Sequence, residues 1–170
     1  ANVEALLQLS IEGLTVAEQI DDLVAKVGER IHISTYIFEE APYVASYVHA
    51  GKIGVVLSLQ GGAPDAQAEV GRNIAMQIAA MTPIAVDEES IDPDVLAKER
   101  EIGLELAAKQ NKPQAVLDKI AQGYVKKFVN ENTLLGQAYV KDNNLSVGQY
   151  VRQLDSNIQV LLFFLVALAS

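Results

Sequence analysis

The chain has no cysteine, no tryptophan and only two histidines among its 170 residues. Without cysteine it cannot form disulfides, use a thiol in catalysis or hold zinc through thiolates. The same absence fits a reducing cytoplasm, which is where we expect the protein. Basic residues are also few, 13 against 22 acidic ones, which gives a net charge of −9. Phosphates need a basic surface, so we expect no nucleic-acid binding and favour a protein partner that carries a basic patch.

Long hydrophobic segments are missing too. The most apolar segment covers residues 158–169, which is short of the ~20 residues that cross a bilayer, so we expect no membrane insertion and predict a buried strand. The start of the chain has neither the basic residues nor the cleavage site of a signal peptide. Half of all residues are nevertheless apolar. We therefore expect one domain, with or without an appendage, and a substantial core.

Two amphipathic helices can be placed in the first half of the chain. Thr15 and Glu18 form the pattern of a capping box, and the helix that they start is predicted to end at Gly28. A second helix is predicted over residues 66–81. Gly71 weakens such a helix by up to ~1 kcal/mol relative to alanine, so we attribute this glycine to close packing against a sheet.

Alternating and continuous apolar runs predict three strands, over residues 31–37, 43–49 and 53–59. The last run is almost wholly apolar and is predicted to lie at the centre of a sheet. Ala50–Gly51 is typical of a tight hairpin turn, because glycine adopts positive φ without steric cost. We therefore predict that three antiparallel strands precede the helix over 66–81.

A charged helical hairpin is predicted between residues 92 and 130. Asp92 is a typical N-cap, Pro93 suits the first helical position, and residues 111–113 break the pattern before a second helix. Both helices have narrow apolar stripes that can bury against each other and little else. Periodicity leaves open whether the pair protrudes as an arm or lies flat on the core. The stripes consist of Val95, Leu96, Ile102, Leu106 and Ala107 in the first helix and of Val116, Ile120, Tyr124 and Phe128 in the second.

Together these elements predict an α+β fold, in which small antiparallel β-sheets are backed by helices and an antiparallel helical hairpin is inserted. We divide it into a first sheet-and-helix subdomain over residues 1–91, the hairpin arm over 92–130, and the remainder of the core over 131–170. The last part is predicted to contain a helix that begins near Ser146 and then the C-terminal strand.

No pattern for catalysis or cofactor binding is found. The stretch QGGAPD, residues 60–65, lacks the lysine and the hydroxyl residue of a phosphate-binding loop. His49 could bind a metal together with His32 and carboxylates, act as a base beside an orienting carboxylate, or fill a strand end. Nothing in the spacing requires the first two roles, so the residues alone favour the last. We therefore expect no catalytic residue, no metal site and no cofactor, and we predict a binding module, not an enzyme.

Five stretches of the sequence, taken in order, resemble a known family. They are AKVGERIHI (25–33), SYVHAGKIGVVLSL (46–59), GRNIAMQIAAMTP (71–83), KKFVNENTLLGQAYVKD (126–142) and SVGQYV (146–151). Together they are similar to the translation elongation factor Ts family over nearly the whole chain. The resemblance implies a core of two related sheet-and-helix subdomains with a coiled-coil protrusion. It also implies binding to the GTPase elongation factor Tu and faster release of GDP, without covalent chemistry.

The resemblance also implies a set of partner-binding residues. The family pattern contains a tyrosine, a histidine, an isoleucine and a glycine in this order, which Tyr47, His49, Ile53 and Gly54 match. In the family the histidine lies at a hairpin tip on the face that meets the GTPase. His49 is therefore expected to contact the partner, with Tyr47, Gly51 and Lys52 as neighbours in the same hairpin.

Parts of the family pattern are not matched. The N-terminal helical domain and the TDFV motif, whose phenylalanine wedges beside the magnesium and switch region, do not occur, so we expect the chain to be the C-terminal part of a longer protein. In place of the family's charged last strand stands LLFFLVALAS, residues 161–170, which we predict to be deeply buried. An alternative function is a structural module that assembles through the arm and the last strand, for example as a homodimer. A metal-dependent hydrolase that uses His49 is a third possibility.

Overall fold

The computed structural model describes residues 2–109 and 113–168. It contains helices and small antiparallel sheets, which confirms the predicted α+β class. The chain divides into two compact units, residues 1–39 and residues 40–170, and each is described by itself. Within the described part, none of the helices is long and apolar enough to span a membrane. The predicted division into 1–91, 92–130 and 131–170 stays a prediction.

The first unit is built from two short helices and a minimal hairpin. Its elements are α1 (Val3–Leu7), β1 (Ser10–Ile11), β2 (Leu14–Thr15) and α2 (Val16–Val27). The predicted capping box is confirmed, because Thr15 Oγ1 accepts from Glu18 N at 3.2 Å while the Glu18 carboxylate accepts from Thr15 N at 2.7 Å. The Thr15 hydroxyl also donates to the Glu18 carboxylate, at 2.8 Å, and the bonds from the amide and the hydroxyl together lower the pKa of that carboxyl group. As predicted, α2 ends at Gly28.

The strand predicted over residues 31–37 is wrong. This stretch has no regular secondary structure, and in the described part of the chain no strand pairs with it. Alternating apolar residues indicate an extended chain with two unlike faces, but a strand also needs a neighbour that satisfies its backbone groups. The sequence pattern indicates an extended chain, but it does not show whether a neighbouring strand is present.

A three-stranded antiparallel sheet forms the centre of the second unit. Its strands are β3 (Tyr43–His49), β4 (Ile53–Gln60) and β7 (Gln159–Ala167), in the order β3–β4–β7. The predicted central position of the second of these strands is therefore confirmed, but its second neighbour comes from the end of the chain, not from residues 31–37. The predicted deep burial of the last strand is wrong. None of its residues is fully buried, because β7 lies at the edge of the sheet.

Helix α3 (Pro64–Met81) packs across β3 and β4 and supplies much of the main core. Gly71 lies where the helix comes closest to the sheet, since a Cβ atom there would sit 2.8 Å from the Ala45 Cβ and 2.9 Å from the Tyr43 Cε1. The predicted packing role of Gly71 is confirmed. The largest fully buried apolar side chains of this core are Val55, Leu57, Leu59, Val70, Ile74, Ile78, Leu134 and Val147.

Helices α4 (Pro93–Ala108) and α5 (Gln114–Asn132) pack on each other as an antiparallel hairpin, called the arm below. Asp92 caps α4 by accepting from Asp94 N at 2.9 Å, as predicted. The predicted break at 111–113 lies largely outside the described residues. The predicted apolar stripes are partly wrong, because small residues make much of the contact between α4 and α5. Gly103, Ala107 and Ala121 are buried, whereas Val95, Leu106 and Val116 are exposed. Small side chains let two helices approach closely, which pushes larger neighbours outward.

The last elements are β5 (Ala138–Tyr139), β6 (Asp142–Ser146) and α6 (Val147–Leu154). Ser146 and Gln149 form a second capping box, which explains why a helix begins near Ser146 as predicted. These elements are joined to α3 by polar contacts. Asn73 Nδ2 donates to the Tyr150 hydroxyl at 2.6 Å, and the Tyr150 ring stacks on Tyr139 with centroids 4.2 Å apart.

Candidate partner-binding site

The β3–β4 hairpin ends in a turn that the sequence specifies locally. Lys52 N donates to His49 O at 2.9 Å, and the two residues between them have positive φ, 49° for Ala50 and 68° for Gly51. Both central residues of such a turn must be left-handed to match the twist of the flanking strands. Glycine does this without strain, and alanine does not. The predicted hairpin at Ala50–Gly51 is confirmed.

Tyr47 and His49 lie on the same side of β3, because alternate residues of a strand point the same way. The Tyr47 hydroxyl is 2.9 Å from His49 Nδ1, and the ring centroids are 6.0 Å apart. A hydroxyl rotates to donate or accept, so it pairs with either tautomer of the imidazole. The phenol therefore fixes the orientation of an exposed histidine on an edge strand.

An open cavity of about 300 Å³ lies beside this pair. Apart from Tyr47 and His49 themselves it is lined by apolar side chains, Met76, Ala79, Ala80 and Val140. Met76, Ala79 and Ala80 come from consecutive turns of α3, and Val140 comes from the β5–β6 turn. The hairpin thus presents an oriented imidazole at the mouth of an apolar depression, an arrangement suited to receiving a side chain of another protein.

The four residues expected at the site occupy the tip of the β3–β4 hairpin. Tyr47 is half-buried, while His49, Gly51 and Lys52 are exposed. Lys52 O accepts from Leu168 N at 2.9 Å, so the turn is also tied to the C-terminal end of the sheet. The structure brings Tyr47 and His49 into contact and places Gly51 and Lys52 in the adjoining turn. Their role in binding stays a prediction.

The surroundings of His49 show no catalytic or metal-binding arrangement in the described residues. Its imidazole is hydrogen-bonded to a phenol, with no carboxylate partner there, and no group of three or more metal-ligating His, Asp or Glu side chains occurs in residues 2–109 and 113–168. His32 lies in the irregular part of the first unit.

The sequence alone missed the cavity wall on α3. Val70, Ile74 and Ile78 form the buried apolar face of α3, whereas Met81, which continues their spacing, is exposed. Met76, Ala79 and Ala80 form a second apolar surface that faces the end of β3. Their spacing of three and four residues was a usable signal, but small alanines give it little weight.

Comparison with known proteins places the chain in a family. The model of the family Elongation factor TS matches residues 1–168. An elongation factor Ts of Amoebophilus asiaticus is 44% identical over 161 residues, which are 94% of this chain and 58% of that protein. Those of Christiangramia forsetii and Flavobacterium psychrophilum are 39% and 38% identical, over 97% and 98% of this chain and 60% and 61% of theirs. The chain thus spans about three fifths of the length of these relatives. With a family model that covers almost every residue and relatives at this level of identity, the chain belongs to the elongation factor Ts family.

Proposed function

We propose that this chain forms the partner-binding core of a guanine-nucleotide exchange factor for the GTPase elongation factor Tu. Family membership supports the partner, and the observation that carries the proposal within the structure is the hairpin tip at which Tyr47 orients His49 beside an apolar cavity. The chain spans about three fifths of the length of its relatives. We therefore also propose, as a separate point, that these residues alone accelerate GDP release.

The proposed mechanism needs neither covalent chemistry nor a cofactor. An exchange factor binds the nucleotide-free GTPase more tightly than the GDP-bound form. It therefore lowers the affinity of the GTPase for GDP, and GDP lowers the affinity of the GTPase for the exchange factor by the same factor. The exchange factor then acts by shifting the population toward the empty state. We accordingly propose that the chain is a binding protein without catalytic residues and that it acts in the cytoplasm.

The geometry of the hairpin favours tight binding for a physical reason. Ordering a flexible side chain on binding costs about 0.5–1.5 kcal/mol, and the Tyr47 hydroxyl already holds the His49 ring before any partner arrives. In the described residues Nε2 of His49 has no hydrogen-bond partner, so it remains available to the GTPase. The net charge of −9 further favours a partner with a basic surface.

Calorimetry with nucleotide-free elongation factor Tu tests the role of the hairpin. We expect His49→Ala to weaken binding by about 1–3 kcal/mol, a ~5–150-fold loss, as for a hot-spot residue. Tyr47→Phe keeps the ring and removes only the hydroxyl, so a smaller loss of ~0.5–1.5 kcal/mol is expected. His32→Ala, the other histidine of the chain, is the matched control and should bind like the unmodified protein. Unchanged affinity of His49→Ala removes His49 from the interface.

Stopped-flow release of a fluorescent GDP from elongation factor Tu tests the exchange activity. Acceleration by the chain shows that these residues suffice. Binding without acceleration shows that the exchange step needs more than this core, and absence of binding refutes the proposed function altogether.

A second candidate function is self-association through the arm. Leu106 and Val116 are exposed apolar residues, one on each of its two helices, which favours an apolar contact with another copy. Light scattering should then show a concentration-dependent oligomer that Leu106→Lys abolishes. Removal of the last strand does not make a clean test, because β7 pairs with the central strand of the core sheet along its whole length. A monomer at all concentrations rejects this candidate.

A further inference from the structure

The arm is joined to the rest of the second unit by two chain segments that lie side by side. Residues 84–86 lead toward α4, and residues 132–135 leave α5. Three backbone hydrogen bonds of 2.9 Å link them, from Ile84 N to Asn132 O, from Leu134 N to Ala85 O and from Leu135 N to Val86 O. This short ladder fixes where the arm leaves the rest of the unit.

Gln137 supplies a direct contact between helices. Its side-chain nitrogen donates to Met81 O at the end of α3, at 3.3 Å, and to Glu131 O near the end of α5, at 3.0 Å. Carbonyls in the last turn of a helix have no partner within the helix. The Gln137 amide therefore satisfies one such carbonyl on each helix and ties the last turn of α3 to the last turn of the arm.

Gln77 holds the Gln137 amide in place. Gln77 is fully buried in α3, one turn before Met81, and its nitrogen donates to Gln137 Oε1 at 3.3 Å and to Ala138 O at 3.1 Å. Its oxygen accepts from Val140 N at 2.9 Å. A primary amide has two N–H donors and one carbonyl acceptor, so every donor of both side chains is used. Turning the Gln77 amide over would point its NH2 group at the Val140 N–H, so only one orientation satisfies all the bonds.

We propose that Gln77 and Gln137 act as a bracket that sets the angle between the arm and α3. Burying two amides is costly unless all their bonds are made, and an apolar pair could fill the same space. Unlike an apolar pair, the amide pair is directional, because its hydrogen bonds form at only one orientation of α3 relative to α5. Gln77 and Gln137 are therefore positioning residues for whatever the arm contacts. The inference goes beyond the proposed function, because it holds for any partner of the arm.

Distance measurements by pulsed electron paramagnetic resonance test the bracket. The chain has no cysteine, so Arg72→Cys on α3 and Glu105→Cys on α4, both exposed, take up nitroxide labels at those sites alone. With the bracket intact we expect one narrow distance distribution. Gln137→Leu should broaden it and shift its mean, while circular dichroism shows that the helices remain.

A matched control exists elsewhere in the sheet. Gln60 Nε2 donates to Gln159 Oε1 at 2.6 Å, an exposed amide pair that links β4 to β7 and lies outside the joint. Gln159→Leu makes the same chemical change there and should leave the distance distribution unchanged. An unchanged distribution in Gln137→Leu overturns the proposal. If that variant does not fold, Gln77→Leu serves as the second variant, and a broad distribution in the unmodified labelled protein overturns the proposal without any variant.

Discussion

Replacing Gly71 by alanine tests whether close packing of α3 on β3 explains this glycine. The new Cβ would lie 2.8 Å from the Ala45 Cβ and 2.9 Å from the Tyr43 Cε1. Carbon atoms prefer separations of about 3.5–4.0 Å, so the helix or the strand must move by roughly 1 Å. Such overpacking costs typically ~1–3 kcal/mol, against a gain in helix propensity of up to ~1 kcal/mol. We expect Gly71→Ala to be destabilising by about 1 kcal/mol.

Gly123→Ala is the matched control. Gly123 lies in α5, is exposed, and a Cβ there would meet no atom within 4 Å. The substitution should therefore stabilise the protein by up to ~1 kcal/mol through helix propensity alone. Because the propensity gain is common to both variants, the difference between them isolates the packing contribution, which we expect to be ~1–3 kcal/mol.

Urea unfolding followed by far-ultraviolet circular dichroism and by tyrosine fluorescence measures both variants, since the chain has no tryptophan. The two probes must report one transition for the free energies to be compared. Equal stabilisation by the two substitutions would refute the reasoning, because it would show that α3 accommodates the methyl group without resistance. Since β3 carries Tyr47 and His49, Gly71→Ala should also weaken partner binding more than Gly123→Ala does.

Three further substitutions test the turn and two ionisable groups. Ala50→Gly relieves a left-handed alanine in the hairpin turn and should raise the free energy of unfolding by up to ~1 kcal/mol; a loss of stability would contradict the strain argument. Burial raises the pKa of Tyr139, and the hydrogen bond and charge of the Tyr150 hydroxyl raise it further. The contribution of Tyr139 to the stability of the fold is therefore complete below the unfolded pKa of about 10 and is lost as pH rises above it. Tyr139→Phe should therefore show a shallower alkaline decline in urea titrations at several pH values, and a parallel decline would contradict this. Hydrogen bonds from the backbone amides of Asn157 and Ala63 lower the pKa of Asp155. Its contribution to the stability of the fold is therefore present above the unfolded pKa of about 3.9 and is lost as pH falls through the folded pKa. Asp155→Asn should flatten the acid decline of stability, and an unaltered decline would exclude Asp155 as a contributor.

Local features of the fold could be predicted from the sequence because local contacts determine them. The Thr15–Glu18 capping box, the Asp92 cap and the Ala50–Gly51 turn each depend on residues within four positions of one another. Their hydrogen bonds and dihedral angles are the same wherever the element packs. Gly71 was also interpretable, since a glycine inside an amphipathic helix is costly and needs a packing reason.

Long-range pairing could not be predicted in the same way. The partner of β4 is β7, a strand about a hundred residues later in the chain, and no periodicity identifies a neighbour at that separation. The stretch 31–37 has the better strand pattern and no strand partner in the described residues. The prediction of burial failed for a related reason. An almost wholly apolar strand such as β7 is deeply buried only if both its flanks and both its faces are covered.

The candidate site combines a local signal with a tertiary one. Tyr47 and His49 are two residues apart, so a strand places them on one side, and this much follows from the sequence. The Gln77–Gln137 pair joins distant parts of the chain and has no sequence signature. The cavity wall on α3 has only the weak signal of its helical spacing.

The hydrogen bond between Tyr47 and His49 also separates the chemical interpretations of this histidine. A general base is oriented by a carboxylate, which stabilises the imidazolium that forms when a proton is taken up. A phenol orients the ring but carries no charge near neutral pH, so it gives the imidazolium no such stabilisation. It does fix where the ring points, and a fixed direction is what a contact residue at the end of an edge strand needs. The same two residues thus lack the carboxylate of a catalytic pair and have the fixed geometry that the proposed contact with a partner needs.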